Sequence, residues 1–172
     1  SGGALEYADE SLRADREVLL AAIESCGAGG LFLVFADNSL KADREIVLKA
    51  VQSHGGAIEY ADESMQADRE IVLAAVQRHG NLLFADESLW ADREIVLAAV
   101  QSIARTLSYV DESFKADREV VLAAVKSDGS ALRYADKSLR ADREVVLAAV
   151  QSSGGALEYA DKSLRADREV VL

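Results

Sequence analysis

Ala156-Leu-Glu-Tyr-Ala-Asp-Lys-Ser-Leu-Arg-Ala-Asp-Arg-Glu-Val-Val-Leu172 decides the fold, because six earlier stretches of the chain repeat it with small changes. Tyr7, Phe35, Tyr60, Phe84, Tyr109, Tyr134 and Tyr159 occupy one column, at successive spacings of 28, 25, 24, 25, 25 and 25 residues. Repetition at a short fixed period marks a stacked architecture, in which each unit contacts only its neighbours. Units start near residues 4, 32, 57, 81, 106, 131 and 156, giving six complete units and a seventh that stops at residue 172.

The unit Ala131–Gly155 serves as the type. Leu132, Ala135 and Leu139 stand at i, i+3 and i+7, which predicts one face of a short helix over 131–139. Arg140-Ala141 makes a corner. Asp142 then suits an N-cap, its carboxylate accepting from the free N–H groups of the next turn, and Glu144 suits the positive end of the helix dipole. Val145-Val-Leu-Ala-Ala-Val150 continues this second helix, and Ser153-Gly-Gly155 is expected to end it in a left-handed turn. Column comparison orients the second helix. The column of Ala21 contains Lys49 and is expected to face water, whereas those of Leu20, Ala22 and Ile23 hold only apolar residues and are expected to face the core. The aromatic column is expected between helices, with tyrosine hydroxyls at the edge. One such unit is too small to bury a core alone. The expected fold is therefore all-α, an α-solenoid of helix-corner-helix repeats in a single repeat domain over residues 1–172.

The pattern carried by Tyr134, Ala135, Leu139, Asp142, Glu144, Val145, Leu147, Ala149 and Val150 recurs with small changes in all seven units, the seventh stopping at the Leu147 column. It resembles the repeats of the family catalogued as domain of unknown function 4116, short tandem repeats of multidomain microbial proteins. The resemblance implies a helical repeat over essentially the whole chain and implies no activity. Units as alike as these suggest recent duplication. The last unit lacks a polar capping face, so the chain is expected to be a piece excised from a longer array.

The net charge of −11 comes from the repeat itself. Asp, Asp, Arg and Glu recur in fixed columns, as at Asp9, Asp15, Arg16 and Glu17, and together contribute −14 against +3 from all other residues. An acidic surface repels phosphate backbones and excludes nucleic acid as the expected partner. No apolar run approaches a membrane span, and no signal segment is visible; localisation stays open, with a cytoplasmic setting favoured. The capping and ladder residues are expected at Asp15, Arg16, Glu17, Asp43, Asp68, Asp92, Asp117, Asp142 and Asp167, with Arg16 bridging acids of its own and the next unit. A row of calcium sites is the sharper alternative, but the glycine-punctuated spacing of calcium loops is missing.

Residues that break the repeat carry the remaining information. Val34 and Leu83 replace the column glutamate of Glu6, and Trp90 stands where other units carry Arg13, Lys41, Gln66, Lys115, Arg140 and Arg165. Ile103 sits in a junction that has lost its glycine, and Cys26-Gly-Ala-Gly-Gly30 is the longest junction, expected to kink or loosen the stack. Val34, Leu83, Trp90 and Ile103 are read as a partner-contact patch, with local burial as the alternative. Cys26, His54 and His79 fall near one column, but helices ~8–10 Å apart do not converge three parallel side chains on one zinc. The serines recur with the repeat, and no unique Ser/His/Asp or Cys/His set stands out. The sequence therefore predicts no catalysis, no metal site and no cofactor. It favours a protein-interaction scaffold, through a protein partner or self-association, over a structural spacer, a cation-binding array and, last, an enzyme.

Overall fold

The computed structural model describes residues 2–25, 32–78 and 81–171. Among them the regular structure is entirely helical, and no strand occurs. The chain forms two compact units, Ser1–Leu89 and Trp90–Leu172, with the border inside the fourth repeat.

Each repeat contains three helical elements rather than the two the periodicity predicts. In the sixth these are a 3-10 helix, Gly129–Tyr134, a single α-turn, Lys137–Arg140, and a long α-helix, Arg143–Ser152. The helix expected over 131–139 is broken because Ala135 and Asp136 are extended, with ψ of 152° and 153°. Asp136 is itself an N-cap: its carboxylate accepts from the Ser138 N–H at 2.8 Å and the Ser138 hydroxyl at 2.6 Å. An Asp-x-Ser triplet offers the backbone this alternative to a continuing helix. Leu132, Ala135 and Leu139 are nonetheless all buried, because the break leaves them on one side.

Three elements per repeat recur in each compact unit. The fifth repeat has Ala104–Ser108, Glu112–Lys115 and Arg118–Ser127; the third has Gly55–Tyr60, Glu63–Gln66 and Arg69–Gln77. In the first unit the long helix Arg44–Ser53 packs between Arg16–Ser25 and Arg69–Gln77. In the second, Arg118–Ser127 packs between Arg93–Ser102 and Arg143–Ser152. Backbone bonds also link repeats: Asp62 N–H donates to the Lys41 carbonyl at 3.0 Å, Asp136 to Lys115 at 2.9 Å and Asp161 to Arg140 at 2.9 Å. A backbone bond of this kind holds whatever side chain the column carries.

The long helices of the second to fifth repeats bury the third, fourth, seventh and eighth positions, as at Ile46, Val47, Ala50 and Val51, or Val120, Val121, Ala124 and Val125. This corrects the expected face in one column. Leu20, Leu48, Leu73, Leu97, Leu122 and Leu147 are only half-buried, whereas the β-branched pair before them is enclosed in the second to sixth repeats, and in the first repeat Leu19 is enclosed and Val18 half-buried. A face of positions 3, 4, 7 and 8 follows the α-helical period, and the leucine at position 5 falls on its margin.

Glycine works differently from expectation as well. Ser153, after the long helix, is extended (φ −150°), and Gly154 opens the next 3-10 helix. The need for a small residue is clear at Gly129: a Cβ there would lie 2.1 Å from the Ala149 carbonyl oxygen in the long helix of the same repeat. Close approach of two backbones therefore selects glycine at that position. The junction Cys26–Gly30, where a kink was expected, lies outside the described residues.

Candidate functional site

The most repeated polar arrangement begins at the N-terminus of each long helix. Asp43 Oδ1 accepts from the N–H groups of Glu45 (3.0 Å) and Ile46 (3.1 Å), two of the donors that a helix start leaves unpaired. Its other oxygen, Oδ2, accepts from Arg16 Nε of the preceding repeat at 3.1 Å, and Arg16 Nη2 reaches Glu45. One carboxylate thus ties helix initiation to stacking. Arg44 pairs likewise with Asp68 (2.8 Å) and Glu70, and Arg93 with Asp117 (3.3 Å) and Glu119 (2.5 Å). Arg118 pairs with Asp142 (3.3 Å) and Glu144, and Arg143 with Asp167 (3.5 Å) and Glu169. Both acceptors belong to the following repeat, which corrects the expectation that Arg16 would also bridge acids of its own. Asp15 instead caps its own helix through Glu17 and Val18 N–H, and Asp92 caps through Glu94 and Ile95 N–H. Glu17 stands exposed in the first turn.

These contacts hold the Asp43, Asp68, Asp117 and Asp142 carboxyls below the usual carboxylate range. At Asp68 the Arg44 guanidinium is the chief cause, and at Asp142 it is the Val145 N–H. At Asp43 burial pushes the carboxyl up, but the Ile46 N–H and Arg16 together outweigh it. The second acidic column behaves the same way: the Ser64 and Ser138 hydroxyls lower Asp62 and Asp136.

The four apolar irregularities have different settings. Val34, in Phe32–Phe35, is 39% exposed, and Leu83, in Leu82–Phe84, is 43% exposed; both belong to the first compact unit. Trp90 and Ile103 belong to the second and are half-buried, Ile103 at the C-cap of Arg93–Ser102. Trp90 shares its column with residues that serve the short 3-10 helix. Arg13 donates from Nε to the Ala8 carbonyl (3.0 Å) and from Nη2 to that of Glu6 (2.7 Å), and Gln66 Nε2 to those of Ile58 (3.0 Å) and Ala61 (3.2 Å).

Between the α-turns of adjacent repeats runs a groove that column comparison did not single out. In the first unit Glu10, Arg13, Phe35, Ala36, Asp37 and Asn38 line it, enclosing about 260 Å³. In the second its counterpart of about 310 Å³ is lined by Lys137, Arg140, Tyr159, Asp161, Lys162 and Arg165 with Ala160. The signal for it is present in the sequence: the column Glu10, Asn38, Glu63, Glu87, Glu112 becomes Lys137 and Lys162.

Among the described residues no cluster of three or more His, Cys, Asp or Glu side chains is arranged to hold a metal ion. His54 is a C-cap residue in extended conformation, and Cys26 and His79 lie outside the described residues. Among the described residues no helix is long and apolar enough to cross a membrane.

Comparison with known proteins is consistent with this geometry. The family described as Domain of unknown function (DUF4116) matches residues 1–41, 29–66, 68–115, 92–140 and 142–172. No curated protein matches the chain, and no solved structure does. Five matches, overlapping at 29–41 and 92–115, tile the chain, and the chain belongs to the DUF4116 family.

Proposed function

We propose that this repeat module is a non-catalytic protein-interaction scaffold, and that its first compact unit docks a basic, amphipathic segment of a protein partner. The observation that carries the reading is the exposure of Val34 and Leu83 in one column, with the exposed Glu59 between them in sequence. The column is otherwise polar: Glu6, Ser108, Arg133 and Glu158 occupy it elsewhere. Apolar side chains held in water on a rigid stack, among acidic ladders, suit a partner that brings both apolar and cationic groups. The serines support a non-catalytic role, since Ser11, Ser39, Ser64, Ser88, Ser138 and Ser163 each donate their hydroxyl to a capping aspartate.

The test is affinity capture from the source extract across a salt series, comparing the chain with a Val34→Glu, Leu83→Glu variant. Both substitutions install the residue that sibling repeats carry, so the fold is expected to tolerate them. A protein retained by the parent chain and lost by the variant supports the scaffold. Equal retention by both removes this site. A structural spacer is the second reading, favoured by the arginine ladders that tie successive repeats; it predicts no partner at any salt concentration.

A further inference from the structure

The groove between the sixth and seventh repeats carries charge of the sign opposite to the rest of the molecule. Lys137, Arg140, Lys162 and Arg165 line it against a single acid, Asp161, within a chain of net charge −11. Asp161 is engaged: its Oδ1 accepts from the Ser163 N–H (2.9 Å) and hydroxyl (2.7 Å) as an N-cap.

Two comparisons with sibling repeats show what is unusual. In the fifth repeat Lys115 pairs with Glu112 at 2.7 Å, three residues back on the same α-turn. In the sixth and seventh that glutamate is replaced by Lys137 and Lys162, so the internal partner is gone. In the first repeat Arg13 is held by the carbonyls of Glu6 and Ala8. Arg140, in the same column, lines the groove with its Nε buried and without a hydrogen-bond partner among the described residues. A buried guanidinium N–H left unpaired is costly, and an anion is its natural complement. Like charges gathered around one concavity repel each other until a counter-anion occupies it.

We propose that this groove is an anion-binding site for a phosphomonoester, with Arg140 and Arg165 as guanidinium donors and Lys137 and Lys162 as flanking ammonium groups. A phosphomonoester brings close to two negative charges and several acceptor oxygens at neutral pH, which matches a local excess of three positive charges better than one carboxylate does. The volume of about 310 Å³ sits at the small end of ligand pockets, the size of a small phosphorylated metabolite or a lipid headgroup. Tyr159 adds an aromatic wall.

The test is amide NMR of the 172-residue chain titrated with glycerol 3-phosphate, with a second arm using vesicles that contain phosphatidic acid. The expected result is saturable shifts confined to residues 137–140 and 159–165. Affinity should fall at least tenfold in Lys137→Glu, Lys162→Glu, a variant that restores the residue found at Glu63, Glu87 and Glu112. Lys137→Gln, Lys162→Gln serves as the milder variant, with an intermediate loss expected. Binding to vesicles with no response to glycerol 3-phosphate identifies the same chemistry on a lipid surface. Absence of saturable shifts in both arms, shifts spread over the whole chain, or unchanged affinity in both variants overturns the proposal. So does tighter binding of a polyglutamate peptide than of either phosphate probe.

Discussion

Gly129→Ala and Gly154→Ala place the same methyl group in the same column of successive repeats and are expected to act in opposite directions. At Gly129 the added Cβ falls 2.1 Å from the Ala149 oxygen and 3.0 Å from both the Ala149 carbonyl carbon and the Ser153 nitrogen. All three are backbone atoms, so no side chain can rotate away. Reaching ordinary van der Waals contact requires the 3-10 helix Gly129–Tyr134 to move more than ~1 Å from the end of Arg143–Ser152, which strains the 3.1 Å bond from Gly129 N–H to Ser152 Oγ. Overpacking of this kind costs about 1–3 kcal/mol. Ala104 occupies the column one repeat earlier and is buried, so the seam can adapt, and loss of the fold is not expected. At Gly154 nothing lies within 4 Å of the added Cβ, and neither glycine has a positive φ. There the restriction of the unfolded chain stabilises by about 0.4–1 kcal/mol. Thermal melts followed by circular dichroism should show Gly129→Ala lowered by roughly 3–10 °C and Gly154→Ala raised by ~1–3 °C. Equal shifts, or a stabilised Gly129→Ala, would refute the close approach of this 3-10 helix to the long helix of its repeat.

Two other perturbations follow from the caps. Asp142→Ala removes the acceptor for the Glu144 and Val145 N–H groups and one partner of Arg118, and should cost about 1 kcal/mol, read as a lower urea midpoint with an unchanged slope. Acid should also weaken the fold. Asp43, Asp68, Asp117 and Asp142 have folded-state pKa values below their unfolded ones, so their stabilisation is complete above the ordinary carboxylate range. It disappears as pH falls through the lowered values. The melting temperature should be flat from pH 7 to about 5 and drop below about pH 4; a protein equally stable at pH 3 and pH 7 would contradict the cap assignments.

Periodicity exposed the repeat, the all-helical class and the burial of Leu132, Ala135 and Leu139, because side-chain spacing reports a face whether or not the backbone along it is continuous. It did not report the break at Ala135–Asp136. The Asp-x-Ser triplet that causes it is local chemistry, visible at Asp136 and Ser138 but not in an apolar pattern. The Leu20 column shows a second limit: an apolar residue in every repeat can still stand at the margin, and only the three-dimensional stack decides which side of the boundary it takes. Asp15, Asp43 and their equivalents were legible as caps from their place before the long helix. The direction of the arginines was not, since it depends on how far one repeat is offset from the next. Lys137 and Lys162 were legible as a change of sign in an acidic column; that they face Arg140 and Arg165 across one groove required the packing of two repeats.

The central claim is a stack of three-element repeats joined by a recurrent backbone bond, and amide hydrogen exchange by NMR tests it most directly. The N–H groups of Asp62, Asp136 and Asp161 lie in extended segments outside any helix, yet each donates to a carbonyl of the preceding repeat at 2.9–3.0 Å. The account predicts protection of these three amides approaching that of the long-helix core amides of Val121 and Val146. Exchange at the rate of an open loop at all three positions would contradict the stacking and the repeat architecture built on it.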